Sequence, residues 1–108
     1  MLHEQTITIG RSAADKIQGF IDAGPGLDDS AYQGSNNAIS YTANFGDGFE
    51  IDVKCCGCDD EGSWAEAVLF ENGHEVCCTE PEYTFLGVWE IEFGENTYRV
   101  NVAAKGDD

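Results

Sequence analysis

From residue 38 onward nearly every stretch of this chain alternates apolar with polar side chains, and that period of two restricts the fold more than any other feature. "AISYTANF" sets Ile39, Tyr41, Ala43 and Phe45 on one face. "FEIDVKC" sets Phe49, Ile51, Val53 and Cys55 on one face and Glu50, Asp52 and Lys54 on the other. Successive side chains of a strand point to opposite sides, so each stretch reads as a half-buried strand. The "GDG" between these two is a hairpin signal; "NG" joins "WAEAVLFE" to "HEVCCTE", and "GEN" joins "VWEIEF" to "TYRVNV".

The beginning of the chain adds a strand and a helix. "EQTITIG" alternates Ile7 and Ile9 with Thr6 and Thr8. In "RSAADKIQGFIDAGPG" the residues Ala13, Ala14, Ile17, Phe20 and Ile21 form one apolar stripe. Ser12 and Asp15 have capping-box spacing, and Gly24 with Pro25 makes a stop, so a helix is expected over 12–23. Residues 25–37, rich in Gly, Asp, Ser and Asn around a lone Tyr32, read as a loop. The expected fold is α+β: an antiparallel sheet of six to seven strands, flat or curled toward a barrel, with one amphipathic helix. No linker or repeat divides the chain, so residues 1–108 read as a single acidic domain.

Charge narrows the function. The chain carries 21 acids against 5 bases, a net charge of -16. From Asp47 to Glu95 there are fourteen acids and one base, Lys54. Solubility asks for a net charge of only about 2 to 8 in a small domain. A field of this sign repels nucleic acid and anionic membranes and steers the chain toward basic surfaces. Disorder is the other common reading of acidity, but 42% hydrophobic and 11% aromatic residues support a packed core. Glu50 and Asp52 oppose the apolar face of their strand, as Glu90 and Glu92 oppose Trp89, Ile91 and Phe93. If those strands share a sheet, the four carboxylates face solvent together. Each alone is an ordinary solvated side chain; as a set they are a candidate partner-binding surface, with the Asp59, Asp60, Glu61 loop as a second patch.

The five cysteines are odd in number, and "MLHEQTITIG" shows neither the basic segment nor the apolar run of an export signal. A cytoplasmic, reducing setting is therefore expected, with free thiols or metal ligands before disulfides. Zinc takes four tetrahedral ligands, commonly as two close pairs. Cys55 and Cys58 form a CxxC around Gly57, and Cys77 with Cys78 would be the second pair of a structural zinc site. That site requires Cys77 and Cys78 to leave regular strand geometry, which would point them apart. His74 would lie roughly 10 Å from Cys77 along an extended strand and reads as a surface residue. The competing reading is that the cysteines are small buried hydrophobes. Redox or nucleophilic chemistry is disfavoured, because the adjoining Asp59, Asp60 and Glu61 would raise a thiol pKa. No phosphate-binding glycine loop, GxSxG or HExxH occurs, so no enzyme is expected.

The stretch from "IDVKCCGCDDEGSWAEAVLFENGHEV" through "TEPEYTFLGVWEIEFGENTYRVNV" resembles small acidic proteins of phages and mobile elements of Gram-positive bacteria. With the size and charge, the whole resembles anti-CRISPR proteins of the kind that inhibit Cas9, some of which contain metal. The resemblance implies a cytoplasmic inhibitor in a bacterial host. It would bind an effector such as Cas9 through an acidic, nucleic-acid-mimicking surface and block target-DNA loading, without touching nucleic acid or membrane itself. The alternative is a non-catalytic accessory domain of a mobile element that binds another basic partner.

Overall fold

The computed structural model describes residues 1–23, 39–58 and 62–106, with the backbone alone at Ala23, Gly57 and Cys58. Seven strands and one helix follow the expected order: β1 (Leu2–Ile9), α1 (Arg11–Ala23), β2 (Ile39–Gly46), β3 (Phe49–Cys58), β4 (Gly62–Glu71), β5 (His74–Cys78), β6 (Gly87–Phe93) and β7 (Asn96–Ala104). The strands form two sheets rather than one. β2-β3-β4-β5 is an antiparallel meander of four, and β1-β7-β6 is a sheet of three in which β1 runs parallel to β7. The loop expected over 25–37, with Tyr32, and the acidic loop Asp59, Asp60 and Glu61 lie outside the described residues.

The break between sheets occurs after β5. Thr79 to Glu82 continue beside β4: the Thr79 N–H donates to the Ala67 carbonyl (2.9 Å), and Ala65 and Glu82 exchange backbone bonds of 2.7 and 2.8 Å. Phe85 then turns fully into the core, and its carbonyl accepts the Trp89 indole N–H at 3.0 Å. Pairing with β4 thus runs past Pro81 to Glu82, and β6 then starts afresh against β7, from Gly87↔Val102 to Phe93↔Asn96.

One core joins the inner faces. Ile51, Val53, Cys55, Ala65, Ala67 and Leu69 of the four-stranded sheet meet Ile7, Ile9, Trp89, Ile91, Val100 and Val102 of the other. At one end Tyr98 bridges the sheets, stacked on Phe49 (centroids 5.1 Å apart) and on His3 (5.0 Å). The helix buries Ala14, Ile17 and Ile21, spaced as one stripe, against β4 and β3. It starts one residue earlier than expected: the Ala14 N–H bonds the Gly10 carbonyl (3.0 Å), so Gly10 holds the N-cap position and Ser12 lies inside the first turn. Gln18 ties the helix to the β5–β6 connection. Its amide donates to the Tyr83 carbonyl (2.9 Å) and its oxygen accepts the Phe85 N–H (3.0 Å).

Two hairpin turns dock on each other. Asn72 and Gly73 both take positive φ, 52° and 84°, as a type I′ turn needs. The Asn72 N–H donates to the Gly48 carbonyl at 2.8 Å. Gly48 has φ 86°, and a Cβ there would strike the Asn72 side-chain amide. Among the described residues no helix is long and apolar enough to cross a membrane.

Candidate functional site

The two-sheet arrangement divides the four carboxylates expected to act together. Glu50 and Asp52 stand on the outer face of the β2–β5 sheet, whereas Glu90 and Glu92 stand on the outer face of the β1-β7-β6 sheet. Because the inner faces share a core, these outer faces look away from each other. No flat partner surface spans both pairs. Alternation had correctly assigned each acid to the solvent side of its strand; it could not say which strands were neighbours.

The outer faces differ in how their charge is held. On β3 and β4, Asp52 accepts the Thr42 hydroxyl at 2.7 Å, and Glu66 accepts the Trp64 indole N–H at 2.8 Å while its other oxygen lies 3.9 Å from Lys54 Nζ. Glu50 and Glu75 flank Phe70 on the same face. Among the described residues, four carboxylates there meet one cation. On the second face Arg99 sits between Glu90 (Nε to Oε2, 2.7 Å) and Glu4 (3.5 Å), in register with both. The bond to Glu90, and then Glu4, holds the guanidinium above its ordinary pKa. The Arg99–Glu4 pair was not legible in the sequence, since it depends on the first and last strands becoming neighbours.

The cysteines are not assembled as one site. Cys55 pairs with Ala65 and Cys77 with Leu69, on opposite sides of β4 and four residues apart along it. With about 3.3 Å per residue and about 4.8 Å per strand spacing, their backbones are roughly 16 Å apart. Two sulfurs on one zinc lie within about 4.6 Å, twice the roughly 2.3 Å zinc–sulfur bond. Cys58, opposite Gly62, is farther still from Cys77 along the strands. Nor do Cys77 and Cys78 chelate as a pair. The irregularity in β5 falls before Cys77, and both cysteines then keep regular register with Leu69 and Val68. They therefore point to opposite faces, Cys77 half-buried and Cys78 exposed. Among the described residues no three His, Cys, Asp or Glu side chains lie together as a metal site. The set Cys55, Cys58, Cys77 and Cys78 thus does not fit one zinc ion.

Cys55 is instead a core residue, fully buried, and burial, reinforced by Cys56, pushes its thiol up to about 11. Cys56 is raised by burial and then by Glu66, with Lys54 opposing. Cys78 is raised by desolvation and then by Glu75 and Glu66. At all three positions the surroundings disfavour the thiolate, and with it nucleophilic chemistry.

One concavity was not signalled by the sequence. It is a cleft of about 570 Å³ between the edges of β5 and β6, lined by Cys77 to Glu80 on one side and Val88 to Glu92 on the other. Neither edge looks unusual alone; the cleft exists because the chain changes sheets between β5 and β6. No protein-family model, curated protein or solved structure matches this chain.

Proposed function

We propose that this protein is a non-catalytic acidic binder that occupies a basic, nucleic-acid-binding surface of another protein. The observation that carries the reading is the outer face of β3 and β4. Glu50, Asp52 and Glu66, with Glu75 beside them, are presented by paired strands against Lys54, the one cation of this face among the described residues. Carboxylates held on a sheet need no ordering at encounter, and like charges on one face cost stability that an attractive partner offsets. Association of this kind is fast and salt-sensitive.

The resemblance to anti-CRISPR proteins makes guide-loaded Cas9 the first partner to test, since such effectors hold nucleic acid in positively charged channels. The assay is target binding and cleavage by Cas9 with the protein added before or after DNA, at low and moderate salt. Inhibition only on prior addition is expected. Glu50→Lys with Asp52→Lys should abolish it, and Glu90→Gln with Glu92→Gln on the opposite face should leave it within about twofold. Full inhibition by the Glu50/Asp52 variant would remove this face from the mechanism. Absence of inhibition in every candidate effector would favour the accessory domain with another basic partner.

A further inference from the structure

We propose that the cleft between β5 and β6 is a second binding site, which takes an extended basic peptide segment as an added strand on the edge of β6. Among the described residues β6 pairs with β7 alone and β5 with β4 alone, so two strand edges face one cavity. A free edge presents a row of unpaired backbone donors and acceptors that an incoming strand satisfies. β6 supplies seven residues without proline or register shift, and it exposes Val88 at 63% of its surface.

The lining selects the occupant. Glu80, Glu82 and Glu92 rim the cleft beside Glu90, which is already paired with Arg99; Trp89 and Ile91 lie along its β6 wall, and no lysine or arginine lines it. A strand laid there points alternate side chains at the carboxylates and at the apolar wall. The matching sequence therefore alternates Lys or Arg with small apolar residues over about seven positions, the length of β6. A second copy of this chain is a poor occupant, because β6 against β6 brings Glu90 and Glu92 close to their own copies. The cleft adjoins the outer face of β3 and β4 at Cys78, which lies within electrostatic reach of Glu66 and Glu75 as well as of Glu80, but its occupancy does not depend on the function proposed for that face.

The test uses the full chain, ¹⁵N-labelled, titrated with a capped seven-residue peptide of alternating Lys and Val. Two further versions carry backbone N-methyl groups on the Lys set or on the Val set. One set of amides faces the edge of β6 and the other faces away. Expected are saturable shifts at the β6 amides and the Trp89 indole, with at least a tenfold loss of affinity for one N-methylated peptide and near-parent affinity for the other. Glu80→Lys with Glu92→Lys, both at exposed positions, should weaken binding at least fivefold while the far-ultraviolet spectrum stays unchanged. Equal binding of both N-methylated peptides, or shifts centred on β3 and β4, would reduce the effect to diffuse charge attraction and overturn the proposal. So would no binding, or β6 shifts that appear without peptide as the chain dimerises.

Discussion

Cys55 offers a measurement whose sign separates a core thiol from a metal ligand. Its side chain is fully buried between β2 and β4, and its pKa is near 11 against an ordinary 9.0. Burial disfavours the thiolate, so the folded chain keeps a proton that the unfolded chain releases. Below pH 9 both states hold it and the thiol adds no pH dependence. Between 9 and 11 the unfolded state binds fewer protons, so stability falls as pH rises, and above 11 the loss levels off. Two pH units at about 1.4 kcal/mol each give a loss of about 3 kcal/mol. The assay is urea unfolding under a phosphine reductant at several pH values from 8 to 11.5, for the parent and for Cys55→Ala. The variant should be about 1 kcal/mol less stable at pH 8. Other alkaline titrations, including Tyr98, occur in both proteins, so the difference between the two curves isolates Cys55. It should shrink and reverse sign as the parent loses its thiol contribution. A zinc-bound Cys55 would be a thiolate in the native state; stability would then rise through the thiol range and collapse with a chelator. A flat or rising difference between pH 9 and 11, or unfolding by EDTA at pH 7.5, would refute the buried-thiol account.

Two further outcomes test the packing. Gly48→Ala places a Cβ against the Asn72 side chain at φ 86° and should cost about 1 to 3 kcal/mol in urea unfolding; Gly73→Ala, where nothing lies within 4 Å, should show the φ penalty alone and cost less. Gln18→Ala removes both bonds from α1 to the β5–β6 connection and should cost about 1 to 3 kcal/mol, with amide exchange at Phe85 accelerated most.

The local part of this fold was legible residue by residue. Alternation located β2, β3, β4, β6 and β7, the dipeptide Asn72-Gly73 marked its hairpin, and the stripe Ala14, Ile17, Ile21 marked the buried side of the helix. These features depend on strand and helix periodicity and on turn dihedrals, which act over a few residues. The site was less legible. Cys55 stood on the apolar face of its strand in the sequence pattern, but whether Cys77 would come near it depended on pairing through β4. That register sets them four residues apart on opposite sides.

What the sequence determined by itself is the charge, the identity and order of the elements, and the solvent-facing side of each acid-bearing strand. Tertiary structure alone decided that β1 lies parallel beside β7, that the strands divide between two sheets, and that Glu50 with Asp52 faces away from Glu90 with Glu92. It also decided that the edges of β5 and β6 frame a cleft. Side-chain alternation specifies which face of a strand is buried, whereas the choice of neighbour depends on how all the buried faces fill one core. Here the Thr79 to Glu82 segment stays with β4, Phe85 fills the core, and the following strand joins the other sheet.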